Sequence, residues 1–303
     1  MSHPAWPALS LAEWEPTYLT LHRWTQVAGK IKLRLAPWLN HWWHTTLAVS
    51  SDGLTTSAMP YRDRHLTLTF DFCAHRLVAH TSDDRSAELP LEPMTVADFY
   101  QRVLAMLARL EVDIEIWPVP VEVADTTPFT EDRIHASYDR AQVERFHRIL
   151  LSTARVFAVH RGRFLGKSSP VHFFWGGFDL AVTRFSGRRN PSPPPAPVMR
   201  EAYSHEVISH GFWPGGTWPI GGRRVDDAVF YAYAVPEPPG FRDAQVAPAV
   251  YSADFGEYML PYRAVHEAAD PAAMLLDFME STYLAGARSA GWDIDGLRHP
   301  RPR

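Results

Sequence analysis

Residues 171–185, "VHFFWGGFDLAVTRF", echo residues 40–49, "NHWWHTTLAV", and the reading of that echo decides the fold. Each stretch sets a histidine beside paired aromatics and then runs into β-type residues, so each is expected to be a strand. Before the first lies "LAEWEPTYLTLHRWTQVAGK" (11–30), with Leu11, Trp14, Tyr18, Leu21, Trp24 and Val27 at helical spacing. Before the second lies "RAQVERFHRILLSTARVFAVHRG" (140–162), a helix opened by Asp139 and Gln142 in the pattern of a capping box.

The elements that follow also correspond. "LTLTFDF" (66–72) parallels "AVFYAYAV" (228–235), and "AELPLE" (87–92) parallels "EYMLPY" (257–262). The helix "TVADFYQRVLAMLARL" (95–110), with Thr95 as N-cap, has a counterpart in "DPAAMLLDFMESTYLAGARSAG" (270–291), with Asp270 as N-cap and Pro271 at its first position. "VDIEIWPVPVEV" (112–123) is expected to close the first half as a strand and linker. The order predicts an α+β chain of two related halves, 1–125 and 126–303. Each half would hold a long helix, an antiparallel sheet of about four strands and a second helix. His41 aligns with His172 at a shift of 131, and Leu89-Pro90 with Leu260-Pro261 at a shift of 171. The second half has therefore gained about 40 residues, a loop-rich insertion at about 187–227.

Apolar residues at 46% against 21% charged describe a chain able to bury a core. A net charge of −4 without a basic tract argues against a nucleic-acid surface. No basic-then-apolar leader opens the sequence and no apolar run is long enough to span a bilayer, so a cytoplasmic setting without a membrane partner is expected. Cys73 is the single cysteine, which excludes an intramolecular disulfide and a thiolate cluster; it is expected in the core of a strand.

The insertion contains "EAYSHEVISHGFWPGG" (201–216). "HEVISH" fails the zinc-protease pattern, because Ser209 stands where the second histidine is needed and His210 comes one residue later. If the segment is extended, Glu206 and His210 share one face, and His205 and Ser209 the other. His41, His172, His205 and Glu206 together form a donor set suited to zinc, iron or manganese, so a divalent transition metal is a candidate cofactor. His205, Glu206 and His172 are the candidate catalytic groups. Arg184 and Arg188 are candidates to anchor an anion, within an aromatic wall of Trp42, Trp175, Phe212 and Trp213. Arg184 continues an apolar strand face, where a lone charge is costly, so it should find Glu206 or a ligand. Lys30 and Lys167 each follow a glycine just before the aromatic stretch of their half; they are read as matching structural caps, with imine formation as the chemical alternative.

At "SPVHFFWGGFDLAVTRFSGRR" (169–189) and "EAYSHEVISHGFWPGG" the chain resembles a bacterial family known only as a domain of unknown function, number five-nine-nine-six. "NHWWHTTLAVSSDGLTTSAMPY" (40–61) and "FYAYAVPEP" (230–238) fit the same family. The resemblance implies one coherent bacterial unit covering nearly the whole chain, and it supplies no catalytic residues.

Two functions follow as expectations. One is an enzyme acting on a small anionic molecule in a cleft between the halves. The other is a non-catalytic module holding a flat small molecule or a peptide, which would show apolar walls without a convergent polar set.

Overall fold

The computed structural model describes residues 5–218 and 222–300, so residues 219–221 of the insertion lie outside the described residues. The first half opens with helix α1 (Leu11–Leu35) and continues through short strands β1 (Ala48–Val49), β2 (Gly53–Thr55) and β3 (Met59–Tyr61). Strands β4 (Arg64–Asp71), β5 (Arg76–Thr81) and β6 (Arg85–Pro90) then lead into helix α2 (Val96–Arg109). The second half holds α3 (Arg140–Gly162), β7 (His172–Phe174), β8 (Asp179–Arg189), α4 (Pro197–Ala202) and β9 (His205–Trp213). It continues with β10 (Gly216–Thr217), β11 (Arg224–Val225), β12 (Val229–Val235), β13 (Val250–Ser252) and β14 (Glu257–Pro261), and ends in α5 (Tyr262–His266), α6 (Pro271–Ser289) and α7 (Ile294–Leu297).

The result is a mixed α and β protein with antiparallel sheets. One sheet runs β1-β2-β4-β5-β6, with β3 also paired to β4, and the other runs β13-β14-β12-β9-β8-β7. An antiparallel bridge between Leu47 and Phe173, with N–H···O distances of 2.9 and 2.8 Å, joins the edges of the two sheets. No helix among the described residues is long and apolar enough to cross a membrane.

The helix boundaries follow from the caps. Thr95, Asp139 and Asp270 each accept a backbone N–H three residues on, satisfying a donor that the first turn leaves without a partner. The helical stripe of α1 is buried from Trp14 through Ile31, and Trp24 stacks on Phe99 at 4.5 Å. Gly29 is required there, because a Cβ would overlap the Trp175 ring.

Four segments differ from expectation. "NHWWHT" is a 3-10 turn (Asn40–Thr45), because His41 and Trp42 both adopt left-handed backbone, with φ of 60° and 62°, which reverses the chain. Residues 112–123 form no strand; Pro118 and Pro120 remove ladder donors. Instead the buried Gln26 amide serves Val121, accepting its N–H at 2.8 Å and donating to its carbonyl at 2.7 Å. The insertion is more than loop, since β9 is an inner strand between β8 and β12. Cys73 sits exposed in the turn after β4, where the Asp71 carboxylate accepts the N–H groups of Cys73 and Ala74.

Gln26→Leu keeps the side-chain volume but strips Val121 of both partners. It is expected to lower stability by about 2–4 kcal/mol in urea denaturation. It should also speed hydrogen exchange at the Val121 amide; an unchanged midpoint would mean that water replaces the glutamine.

Candidate functional site

Strand β9 divides the sequence-predicted residues between its two faces. His205, Val207, Ser209, Gly211 and Trp213 alternate with Glu206, Ile208, His210 and Phe212, and their partners on β8 and β12 follow the same alternation. His205 thus lies 5.9 Å, ring to ring, from His41, while Glu206 points the other way. There it accepts from Ser186 Oγ at 2.9 Å and pairs with Arg188 at 2.7 Å. His41 donates through Nδ1 to the carbonyls of Glu201 and Ala202, and its Nε2 lies 2.8 Å from Lys167 Nζ. His172 is buried beside Trp43 at 5.8 Å, and burial lowers its pKa to about 4. The four proposed metal donors therefore do not converge, and among the described residues no group of three or more His, Cys, Asp or Glu side chains is placed to hold a metal ion.

The anion anchors and walls also have other roles. Arg184, 1% exposed, has a partner as its burial demands, but that partner is Glu280 at 3.2 Å together with the His160 carbonyl. The Arg184 guanidinium lies 4.3 Å from the Tyr283 ring, and the His160 and His210 rings pack 4.8 Å apart beside it. Both imidazoles are held neutral by burial, with pKa values well below the ordinary range. Phe212 packs on Phe230 and Tyr262 in the core. Trp175 donates to the Thr45 carbonyl at 2.7 Å, and Trp42 stacks on His44.

Of the predicted wall, Trp213 lines a cleft. That cleft, about 250 Å³, lies where the start of α1, residues 122–125, Gly177 and residues 213–218 meet. Both halves and the insertion contribute to it. Tyr18, Trp213 and Trp218 supply aromatic surface, with Trp213 edge-on to Trp218 at 5.6 Å. His135 lines the same space, and its Nδ1 lies 2.8 Å from Asp132 Oδ2. Asp132 is 1% exposed; it also accepts from the N–H groups of Ile134 and His135 and pairs with Arg23 Nε at 3.1 Å. A carboxylate held in this way fixes the imidazole tautomer with the proton on Nδ1.

Glu122 is an exposed residue of the cleft lining that forms no ion pair among the described residues, and desolvation within the cleft raises its pKa. A Cβ on Gly177 would lie 3.5 Å from Glu122 Oε2 and 2.8 Å from Asp179 Oδ1, so the two carboxylates flank one glycine. Asp179 accepts a hydrogen bond from the Tyr231 hydroxyl, which reaches it across Gly211; a side chain at 211 would overlap the Tyr231 ring. Tyr231 stacks on Tyr233, whose hydroxyl meets that of Tyr203 at 2.9 Å. Burial pushes Asp179 up to about 7, opposed by the Tyr231 hydrogen bond and reinforced by Glu122. Glu257 rises to about 8, by burial and then by the nearby Asp179 charge. No arginine, lysine or histidine among the described residues forms an ion pair with Glu122, Asp179 or Glu257. A cleft residue and a neighbouring carboxylate whose pKa values are both raised mark a candidate functional site.

Sequence reasoning missed Glu122, His135, Asp179 and Tyr231. Two signals for them were present: the alternating tyrosines of "FYAYAV", and Gly211 inside a strand, where glycine marks a close approach.

A family model described as a family of unknown function, DUF5996, matches residues 6–299. No curated protein and no solved structure matches the chain.

Two substitutions separate structure from site. Asp179→Asn keeps an acceptor for Tyr231 and removes a group whose pKa rises on folding. Such a group costs stability as pH climbs from its unfolded value of 3.8 toward about 7. The variant is therefore expected to be more stable than the parent at pH 8, by up to about 4 kcal/mol, and to lose that advantage near pH 4. A thermal melt at both values checks this. Arg184→Ala leaves Glu280 without its buried partner and should cost about 3–5 kcal/mol in urea denaturation.

Proposed function

We propose that this chain, which belongs to the DUF5996 family, holds a small cationic molecule in the cleft between its halves and moves a proton on it. The observation that carries the reading is the pair of carboxylates flanking Gly177, Glu122 in the lining of an aromatic-walled cleft and Asp179 next to it, neither ion-paired among the described residues, while Arg23 of the same lining is committed to Asp132. Two carboxylates held on either side of one glycine without an ion-pair partner repel each other, and the fold gains most when the positive charge arrives with a ligand. Aromatic faces such as those of Tyr18, Trp213 and Trp218 suit the same charge, since a ring quadrupole attracts an ammonium or guanidinium.

An anionic ligand, expected from the arginines of the sequence, is less well served. Arg184, Arg188 and Arg23 are each committed to a carboxylate of the protein. His135 supplies the acid–base function: Asp132 fixes its Nδ1 proton, leaving Nε2 to accept one. The convergent polar set favours this reading over a purely apolar binding module. Two finer points belong to the same proposal. The halves are taken as related, with β4 corresponding to β12 and β6 to β14 as their sequences do. The setting is taken as the bacterial cytoplasm, in keeping with a single cysteine that is exposed.

A cation that re-ionises Glu122 and Asp179 displaces their protons, so its affinity should rise with pH. Thermal shifts with a panel of small amines and small carboxylic acids, at pH 6 and pH 8, test this. Amines are expected to stabilise the protein, and more so at pH 8. Glu122→Gln should weaken the best amine at least tenfold, about 1.4 kcal/mol. Stabilisation by the acids alone would reject the proposal.

A further inference from the structure

The chain carries 3 lysines against 27 arginines, and all three lysines stand where α1, the 3-10 turn and the start of the second half meet. Lys30 lies over the rings of Trp117 and Trp175, at 4.7 and 5.8 Å. Lys32 donates to the Thr46 carbonyl. Lys167 donates to His41 Nε2 at 2.8 Å and lies over Trp43 and Phe185, at 5.3 and 5.1 Å. No carboxylate among the described residues forms an ion pair with any of these amines. None of the three lysines lines the cleft described above. A guanidinium serves as a permanent charge, whereas an ammonium can give up its proton and become a nucleophile.

Lys167 is the accessible one, and its partner turns a ring nitrogen toward it. The two oxygens facing His41 Nδ1, each at 3.2 Å, are backbone carbonyls, which only accept. The imidazole proton is therefore on Nδ1, and Nε2 turns its lone pair to Lys167. His41 is 4% exposed and is held there by left-handed backbone at two successive non-glycine residues, a conformation costing about 1–2 kcal/mol at each. The His205 ring, 5.9 Å from that of His41, adds a further imidazole on the insertion's side. Burial lowers the pKa of Lys167, with Glu201 opposing, and it brings Lys30 and Lys32 to about 8.

We infer that Lys167 is an imine-forming lysine that takes a small aldehyde or ketone, with His41 relaying the proton. The ammonium passes one proton to His41 Nε2, and the freed Nζ pair attacks the carbonyl carbon, forming the C–N bond as the C=O π pair moves to oxygen. A proton shifts from nitrogen to that oxygen within the adduct. His41 then returns its proton to the hydroxyl, which leaves as water while the nitrogen pair closes the C=N bond. The sum is ammonium plus carbonyl giving iminium plus water, with no other reagent. Burial and the Lys167 charge hold the His41 pKa below its usual value, which makes its imidazolium a ready donor to the departing hydroxyl.

The test treats the full chain at pH 7 with limiting acetaldehyde and cyanoborohydride, and measures N-ethylation at each lysine by peptide mass mapping. Lys167 is expected to react at least tenfold faster in the native protein than in the same chain unfolded in guanidinium chloride. Lys30 and Lys32 should react more slowly native than unfolded. His41→Gln should bring native Lys167 to its unfolded rate, with circular dichroism checking the fold. Lys167→Arg should abolish the fast adduct. A native Lys167 no faster than unfolded, a comparison that needs no variant, overturns the inference, as does a folded His41→Gln protein with the parental rate.

Discussion

The rest of the molecule depends on one backbone contact, the reciprocal pair of hydrogen bonds between Leu47 and Phe173. Each sheet would otherwise end in an open edge there, with unpaired N–H and C=O groups. The bridge fixes the level at which the halves meet, and the neighbouring side chains follow from it. Trp175 lies on Gly29 of α1 and donates to Thr45, while Trp43 packs against both His172 and Phe185. Bulk at position 29 would push α1 from the second sheet and break this set of contacts.

Charge burial gives the molecule two kinds of interior. On the helix-facing side of the second sheet, Arg184, Glu280, His160, His210 and Thr282 bond to one another, and the charge there is matched. On the opposite side the acids Asp179 and Glu257 stand among tyrosine hydroxyls, with no ion-pair partner among the described residues. The first arrangement resists change, since removing any member leaves a buried group without a partner. The second costs the fold stability wherever those acids ionise.

Much of the fold was legible in sequence because its signals are local. Helical spacing and the caps Thr95, Asp139 and Asp270 located three long helices, and the alternation in "HEVISH" divided His205 from Glu206 as β9 does. Failures came where a distant partner decides. His41 and Trp42 look like strand residues, and only packing against the second half and α4 holds them left-handed. Residues 112–123 carry β-type residues, yet their backbone is served by a glutamine far back in α1. The site was legible as a neighbourhood and not as a set of groups. The aromatic–histidine motifs do converge on the junction, but Asp179 and Glu122 become notable only when the fold sets them on either side of Gly177 with no ion-pair partner among the described residues.

The same junction bears on how the chain acquires its structure. Within each sheet most pairings link neighbours in sequence, such as β4 with β5, β5 with β6 and β8 with β9. Joining residue 47 to residue 173 instead requires closing a very long stretch of chain, whose entropy is lost before any contact rewards it. The two sheets should therefore assemble early and independently, and dock late. Docking at the junction, rather than formation of either sheet, is then the expected slow step of folding.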